Sequence, residues 1–564
     1  MRFSKATMRL FKAVMLAAGV GLLVASVALA ENQGVGTSGG WVPRVAVKPD
    51  PSKIMVPKGY KVEVFVEGLD TPSGVAVDGQ DNVWVAISGN LFGPFEYEYA
   101  GQRVKNPVSG PHVKVFDKTG KHLKDFGVGL FSFVMNEIGY CPENKKMYIP
   151  EYSRNIWEID GVNGELKKII TDLPTGDHQI GGITCKDGYL YWGQGFPSNS
   201  GFADPDNHGW TDQVDPFWEK HGDPSMPKTA RDPVCRDIVH TGLNVRSADG
   251  RLTGALLPAG VPAKPGMVIK AQVPCGGSIM RVKLDKKGSD GMYRHEDMEV
   301  YAMGFRNQAG VRFGPKGSRF ENALAVSDNG VNDLGHRRIA NGAEKLWIVT
   351  EKGQDGGYPD KEGFGFVTNK RFSLRAYNGS KIDRPYPNLY IGDTPWVPEM
   401  PPYRFPPHVE GVRGVPLIVA NPNPNGYINP VLEWDTNNPM DGIAWGDERF
   451  GVKDTLFAAI FGIIDNGPES LVPTWPAVIR IEFLQPTGVR WSYFMRNIGP
   501  GPNAYQKAEN RGGLERTNDV VFSNDGKGMY VADYGELYVD YSMPSPFFTT
   551  PRSGVIWKVT YTGQ

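Results

Sequence analysis

Polar residues that could bind a ligand or move a proton recur in this 564-residue chain at one kind of place, immediately before short apolar segments. His178 is the natural general base among them, because the reference pKa of histidine lies near neutrality, and Asp177 beside it could orient the ring. Arg306 and Arg516 have guanidinium groups that suit bidentate binding of a carboxylate. A solvated loop histidine and surface salt bridges are the simpler alternatives. The full set lies at 71–73, 136–137, 177–179, 306–308, 438–441 and 516–519.

The segments that follow these residues form a degenerate repeat of paired strands. Each copy has a short apolar strand, a turn and a second strand of alternating aromatic or aliphatic residues, bounded by Gly, Asp, Asn or Pro. Helical periodicity is nearly absent, so the predicted class is all-β. Six copies, each half of a four-stranded sheet, predict a six-bladed β-propeller whose inner strands bring the polar residues to one mouth of a central channel. The copies begin near residues 74, 138, 182, 310, 442 and 519.

The spacing of the copies predicts two long irregular insertions, at about 196–278 and 359–437. Such insertions are usually covers or binding loops, and decoration of an outer edge is the alternative. A strand at 61–66 is expected to complete the last blade and close the ring. The predicted organisation is a targeting segment at 1–30, an N-terminal extension at 31–57 and the propeller at 58–564.

The first thirty residues are typical of an export signal. Four basic residues precede an apolar run at 13–30 that ends in Ala28-Leu29-Ala30, a small-residue cleavage pattern, although an uncleaved anchor is also possible. We therefore expect a periplasmic or secreted protein with no transmembrane helix once the signal is removed. The formal net charge of −1, with scattered Lys and Arg, gives no basic field, so we expect no nucleic acid partner.

Four cysteines are present, and none forms a C-x-x-C pair. In an oxidising compartment an even number indicates two disulfides, with three possible pairings, and four buried thiols are the alternative. We predict Cys235–Cys275, because that insertion should have little core of its own and would gain most from a cross-link. We also predict Cys141–Cys185, because the two residues occupy matching positions just after the inner strands of neighbouring blades.

Three blocks of sequence resemble the soluble quinoprotein glucose dehydrogenases and the related sorbosone dehydrogenases. The first is His178-Gln-Ile-Gly-Gly182 followed by Gly188-Tyr-Leu-Tyr-Trp-Gly-Gln-Gly195. The second is Gly304-Phe-Arg-Asn-Gln-Ala-Gly310, followed by Ser327-Asp-Asn-Gly330 and Glu344-Lys-Leu-Trp347. The third is Leu514-Glu-Arg-Thr-Asn-Asp-Val520. Together they span most of 58–560 outside the insertions.

The resemblance implies a six-bladed propeller that oxidises a sugar or polyol with pyrroloquinoline quinone (PQQ) held by calcium. His178 would take the substrate hydroxyl proton. The reduced quinone would then pass its electrons to an acceptor that the sequence does not identify. The implied substrate contacts are Asp177, Gln179 and Gln194; the implied quinone contacts are Arg306, Asn307, Arg516 and Asn518; the implied calcium ligands are the carbonyls of Gly330 and Val331.

Two positions depart from the resembled family. Its quinone-binding lysine should fall within 455–462, where this chain has none, and Asn518 stands where the family has a second arginine. Two lost cations would leave carboxylates of an anionic quinone unpaired.

Two other functions fit the same predicted mouth. A calcium-dependent hydrolase resembling the propeller lactonases could hold its ion with Glu137, Asn307, Asn438 and Asp519, and the metal would activate water. A non-catalytic propeller that has lost the quinone could use its insertions to bind a partner. His178 favours the dehydrogenase, whereas the absent lysine favours the other two.

Overall fold

The computed structural model describes residues 46–89, 96–99, 102–105, 108–131, 135–151, 154–174, 176–178, 180–202, 232–246, 250–258, 260–332, 335–372, 388–395, 414–436, 438–462, 475–484, 488–499, 501–503, 507–539 and 547–563. Within these ranges the regular structure is almost entirely β-strand, so the predicted all-β class is confirmed. The described helical elements are 3-10 turns of three residues: Pro51–Lys53, His295–Asp297, Lys370–Phe372, Glu448–Phe450 and Ala508–Asn510.

Six antiparallel sheets form the blades, which we number in chain order of their inner strands. Their strands are rich in β-branched and aromatic residues, which suit a pleated and largely buried surface. From the inner strand outward, blade 1 is Pro72–Val77, Val83–Ile87, His112–Phe116 and His122–Phe126; blade 2 is Gly139–Cys141, Lys146–Glu151, Asn155–Ile159 and Leu166–Ile170; blade 3 is Ile180–Lys186, Tyr189–Gln194, Ser278–Lys283 and Met298–Met303.

The second half of the ring follows the same pattern. Blade 5 gains a short fifth strand from the N-terminal side of the chain. Blade 4 is Val311–Phe313, Leu324–Asp328, Ala343–Val349 and Leu432–Thr436; blade 5 is Met440–Trp445, Thr455–Ile460, Ala477–Phe483 and Val489–Asn497, with Ile54–Met55 outside it; blade 6 is Thr517–Phe522, Gly528–Asp533, Gly554–Tyr561 and Tyr60–Leu69.

Packing between the blades confirms the predicted six-bladed ring. Each inner strand contacts the inner strands of the blades before and after it, and blade 6 contacts blade 1. Six hydrophobic clusters, one between each neighbouring pair of blades, form the core. The strand Tyr60–Leu69 pairs with Gly554–Tyr561 and closes the ring by hydrogen bonds, as the sequence predicts.

Neighbouring inner strands approach closely enough to require glycine. A Cβ on Gly74 would lie 2.7 Å from the Cα of Glu137 in blade 2, and a Cβ on Gly442 would lie 2.0 Å from Oδ1 of Asp519 in blade 6. Blades 1, 3, 4 and 5 carry glycine at this repeat position, whereas blades 2 and 6 carry Glu137 and Asp519. The carboxylate of Asp519 instead accepts a hydrogen bond from the backbone N–H of Val75 in blade 1, at 2.9 Å.

The two long connections of blades 3 and 4 fold together into one unit, which we call the cap. Its hydrophobic core contains Phe202 and Leu243 from the first connection and Phe372 and Leu389 from the second. The expectation that the first insertion has little core of its own is therefore incomplete, because the second insertion supplies the missing half. The cap sheet is formed by Leu252–Gly254, Leu243–Arg246, Leu389–Ile391 and Thr394–Pro395, and smaller ladders pair Ile238–Val239 with Val268–Ile269 and Lys361–Glu362 with Gly365–Phe366.

Both predicted disulfides form. Cys141–Cys185 joins blades 2 and 3, and Cys235–Cys275 lies within the first connection.

Two further hairpins, Glu96–Tyr99 with Gln102–Lys105 and Leu537–Val539 with Phe547–Thr549, extend from blades 1 and 6. Among the described residues there is no helix long and apolar enough to cross a membrane. The predicted export signal lies outside the described residues.

Candidate functional site

The loops that lead into the inner strands of blades 4 and 6 are each held by hydrogen bonds to a buried Asp carboxylate. In blade 4 the carboxylate of Asp328 accepts the backbone N–H groups of Arg306 and Asn307, at 2.9 and 2.7 Å, and the indole N–H of Trp347, at 3.2 Å. A buried carboxylate that accepts three hydrogen bonds fixes the backbone around it. Asp328 therefore positions the Arg306 loop.

Blade 6 repeats this arrangement. Asp533 accepts the backbone N–H of Arg516, at 2.7 Å, and the indole N–H of Trp557, at 3.0 Å. Arg306 and Arg516 thus occupy equivalent positions in the two blades. Sequence reasoning missed the pattern that marks these two loops, which is an Asp at the end of the second strand together with a Trp in the third strand of the same blade.

His178 is buried, 5 % exposed, and its ring is held by the cap. Its Nδ1 lies 2.6 Å from the backbone carbonyl of Phe196. A carbonyl can only accept, so Nδ1 carries the proton and Nε2 keeps its lone pair. Burial, aided by the charge of Arg306, holds the pKa of His178 well below its usual range, against the opposing effect of the Phe196 hydrogen bond. The imidazole is therefore neutral and its Nε2 is available as a proton acceptor.

Asp177 lies on the Nε2 side of the ring. Its Oδ2 is 3.4 Å from His178 Nε2 and 4.0 Å from Arg306 Nη2. Burial raises the pKa of Asp177, and Arg306 opposes that rise. Sequence reasoning predicted that Asp177 orients His178, but the Phe196 carbonyl does so at the other ring nitrogen. A hydroxyl group within hydrogen-bond distance of both Nε2 and Oδ2 could donate its proton to either atom.

The structure brings Arg306 to this pair but surrounds it with protein acceptors. Its side chain is nearly fully buried, and Nη2 donates to the side-chain oxygens of Asn199 and Asn332, at 2.6 and 2.9 Å. Nε donates to the Asn199 carbonyl at 3.3 Å, and Nη1 to the Asn329 carbonyl at 3.4 Å. Asn199 belongs to the first connection and also accepts a hydrogen bond from the hydroxyl of Tyr358 in the second. Arg306 thus joins the propeller to both halves of the cap.

The other residues predicted to contact a ligand differ in their burial and in their hydrogen bonds. Gln194 is fully buried, and its Nε2 donates to the Pro174 carbonyl at 2.6 Å. Asn307 is half-buried, and its carbonyl accepts the backbone N–H of Asn329 at 2.9 Å. Gln179 lies outside the described residues. Neither Gln194 nor Asn307 is seen to contact His178, so the core of the predicted site is His178, Asp177 and Arg306.

Arg516 and Asn518 form a separate group in blade 6. The Arg516 guanidinium lies 5.5 Å from the ring centroid of Phe461 and is buried. The Asn518 side-chain amide donates to the Ser73 carbonyl and, at 3.4 Å, to the Asn136 carbonyl. Asn518 therefore links blade 6 to the loops of blades 1 and 2, a structural use of the residue that stands at the position of an arginine in the resembled family.

In this arrangement the contacts of Arg306 do not fit a carboxylate of PQQ. An anion with three carboxylates needs cations with unused donors. Arg306 already directs four of its N–H groups to amide and carbonyl oxygens of the protein. A bidentate carboxylate contact there would require Asn199 and Asn332 to move away.

The two residues implied as calcium ligands, Gly330 and Val331, lie beside Gly342 and Glu344. A Cβ on Gly342 would lie 2.3 Å from the Val331 carbonyl oxygen, which is thus packed against that glycine. The backbone N–H of Gly330 donates to Glu344 at 2.8 Å, and burial raises the pKa of Glu344 to about 8. Among the described residues, no group of three or more His, Cys, Asp or Glu could hold a metal.

The ligand set of the hydrolase hypothesis is occupied by an arginine. Arg312 of blade 4 donates to Oε2 of Glu137 at 3.1 Å, and its Nη2 lies 4.0 Å from Oδ1 of Asp519. Burial raises the pKa of Glu137 to about 8 and that of Asp519 to about 6, with Arg312 opposing both shifts. The positive charge between these two carboxylates is therefore Arg312, at the position where the hypothesis places calcium.

No protein-family profile and no curated protein matches this chain. Among solved structures, the chain is similar to the PQQ domain of pyranose dehydrogenase from Coprinopsis cinerea, with 13 % identity, 91 % of this chain and 98 % of that chain covered and a TM-score of 0.48. It is also similar to the soluble aldose sugar dehydrogenase of Escherichia coli, with 13 % identity, 89 % and 99 % covered and a TM-score of 0.42. A Trichoderma reesei protein of carbohydrate-active enzyme family AA12 gives 10 % identity, 92 % and 99 % covered and a TM-score of 0.49. The six-bladed assignment itself rests on the strand pairing described above.

Proposed function

We propose that this chain is an oxidoreductase that acts on a sugar or another polyol and uses His178 as its base. The observation that carries the proposal is the hydrogen bond between His178 Nδ1 and the Phe196 carbonyl, because it leaves the lone pair of Nε2 for a substrate hydroxyl. The substrate class comes from the resemblance of the motifs around His178 and Arg306.

In the proposed reaction the protein supplies a base and a position for the substrate. The hydroxyl proton passes to His178 Nε2, the hydrogen on carbon leaves with two electrons to an acceptor, and a carbonyl forms. Asp177 would accept a hydrogen bond from a second hydroxyl of the substrate. Because the contacts of Arg306 do not fit PQQ, the proposed reaction includes no step on PQQ. The assay supplies the electron acceptor as a soluble dye.

Dye reduction by the purified full-length chain tests the proposal. Aldoses, sorbosone and simple alcohols are offered with and without added PQQ and calcium. His178→Ala should cut turnover by about 10² or more, the usual scale for loss of a general base. His122→Ala is the matched control, because His122 is exposed on the outer strand of blade 1 and pairs with Asp125. Equal turnover in the two variants would refute the role of His178.

The cofactor arms of the same assay separate two cases. Turnover without PQQ would agree with the contacts of Arg306 seen here. Turnover that requires PQQ and calcium would mean that Asn199 and Asn332 move off Arg306 when the quinone binds.

A separate observation favours a second candidate, a propeller that binds a polyhydroxylated ligand without oxidising it. The cap closes over His178 through Phe196 and over Arg306 through Asn199, which is the arrangement of a cover rather than of an open redox site. Saccharide binding measured by calorimetry, together with no turnover under any acceptor, would support this candidate and exclude the oxidoreductase.

We also propose that the protein is exported. The basic and apolar N-terminal segment supports this proposal, and so do the two disulfides, which persist in oxidising compartments. N-terminal sequencing of the protein from its host would test it, with Glu31 expected as the first residue.

A further inference from the structure

Four aromatic side chains form a surface group at the outer rim, where blades 4 and 5 meet, and we call it the rim patch: Trp434, Trp475, Trp491 and Tyr493. Trp491 and Tyr493 lie on the fourth strand of blade 5, two residues apart and therefore on the same face. Their cross-strand partners, Ile481 and Ile479, are fully buried in the core between the blades. The rim patch is thus the outer end of that core, exposed to solvent.

The rings of the rim patch are held in place by one another. Trp434 is buried and contacts Trp491 edge-on, with ring centroids 4.5 Å apart. Tyr493 contacts Trp491 at 5.7 Å and lies with its plane within 24° of the plane of Trp475, at 6.1 Å. Trp491 and Tyr493 remain 42 % and 39 % exposed. Rigid, half-exposed aromatic rings offer contact area at low entropic cost.

Polar groups with unused hydrogen-bonding capacity border these rings. Asp435 accepts one hydrogen bond, from the backbone N–H of Thr436, and its carboxylate interacts electrostatically with Tyr493. The Arg496 guanidinium lies 5.3 Å from the Trp475 ring centroid and makes one long hydrogen bond, 3.4 Å, to the Asn497 carbonyl. In the part of the chain that the structure describes, the Tyr493 hydroxyl has no hydrogen-bond partner.

We propose that the rim patch binds a neutral carbohydrate chain. A sugar ring has an apolar C–H face, which packs on aromatic rings, and a rim of hydroxyls, which both donate and accept. Asp435 can accept from such hydroxyls, Arg496 can donate to them, and the Tyr493 hydroxyl can do both. One carboxylate and one guanidinium balance each other, so the patch does not select an anionic polymer or a membrane surface.

This site is independent of the proposed function. Trp434, Trp491 and Tyr493 lie on the outer strands of blades 4 and 5, whereas His178 precedes the inner strand of blade 3. His178→Ala should therefore leave carbohydrate binding at the rim patch unchanged, so failure of one proposal is distinguishable from failure of the other.

Retention of the full-length protein on insoluble cellulose, chitin, xylan and starch tests the proposal, followed by calorimetry with oligosaccharides of whichever polymer retains it. The double variant W491A/Y493A should lose affinity about tenfold or more, equivalent to at least about 1.4 kcal/mol of binding free energy. Asp435→Asn and Tyr493→Phe, which keep the rings and hence the fold, should each weaken binding by a smaller factor.

The matched control is the double variant L123A/L130A, because these two leucines, on and just after the outer strand of blade 1, are similarly exposed, 41 % and 52 %, and lie across the ring from blades 4 and 5. It should bind as the unmodified protein does. No retention on any of the polymers, or an equal loss in the control, would overturn the proposal. A concentration-dependent dimer in solution that only W491A/Y493A abolishes would also overturn it, because the patch would then be an interface between two copies.

Discussion

Replacing Arg306 by alanine is expected to loosen the cap from the propeller. The guanidinium donates four hydrogen bonds to Asn199, Asn329 and Asn332, and Asn199 connects it to Tyr358. The two shortest, at 2.6 and 2.9 Å, go to side-chain oxygens of Asn199 and Asn332. Alanine would leave the Asn332 oxygen without its charged donor, would leave the Asn199 oxygen with the longer bond from the Asn332 backbone N–H at 3.2 Å, and would open a cavity beside His178.

The cost follows from the charged hydrogen bonds that are lost. A hydrogen bond to a charged group contributes about 1.5–3 kcal/mol, so loss of the two short bonds corresponds to roughly 3–6 kcal/mol. Water entering the cavity would offset part of this loss. A domain of 150–250 residues shifts its Tm by about 2–4 °C per kcal/mol, and the shift shrinks as chains lengthen. We therefore expect Tm to fall by roughly 5 °C.

Three measurements on Arg306→Ala check this reasoning: thermal unfolding, limited proteolysis and PQQ titration. Cleavage should become faster within 196–278 and 359–437, where the cap lies, and not in the blades. Arg246→Ala is the control, because the contacts of this cap arginine with the Gly250 carbonyl and the Tyr390 ring lie within the cap. Unchanged Tm and proteolysis, combined with stoichiometric PQQ binding by the unmodified protein that Arg306→Ala abolishes, would refute the cap role and restore the quinone role.

Two further predictions concern the channel and the cap. Burial raises the pKa of Glu137 from 4.5 to about 8, so its contribution to stability is complete below about pH 4.5 and is lost as pH rises through about 8. Glu137→Gln should flatten the fall of Tm with pH over that interval, and parallel falls in both proteins would contradict the assignment. Replacing Cys235 and Cys275 by serine should cost roughly 4 kcal/mol, because the bond closes a loop with a sequence separation of 40 residues. The cap should still fold on its shared core, and a complete loss of folded protein would contradict that expectation.

The repeat predicted most of the propeller because each copy carries its own local signals. Short alternating strands, turn residues and an apolar second strand recur in every blade, so strand pairing within a blade follows from local sequence. Closure by the strand that begins at Tyr60 also followed, because a ring of antiparallel sheets leaves one edge for an N-terminal strand. The Cys141–Cys185 bridge was predictable for the same reason, since matching repeat positions in adjacent blades face one another.

The contacts of the candidate site were not predictable in the same way. The bond between Arg306 and Asn199 joins residues 107 apart, one in a blade loop and one in an insertion that has no repeat. The group that orients His178 is a backbone carbonyl, that of Phe196, and a backbone carbonyl leaves no mark on residue type. Sequence reasoning therefore chose the adjacent Asp177, the nearest side chain that could do the same task.

Arg306 and Arg516 show how the cap changes the surroundings of a repeated position. Both follow the same loop geometry, and both loops are fixed by an Asp carboxylate and a Trp indole. The propeller thus has an arginine at the same repeat position in blades 4 and 6. The residues that cover each arginine determine what its guanidinium can bind. In blade 6 the covering group includes the Phe461 ring, whereas in blade 4 it is Asn199 of the cap. A substitution in the cap, such as Asn199→Ala, should therefore change what Arg306 can bind while leaving Arg516 and the six blades as they are.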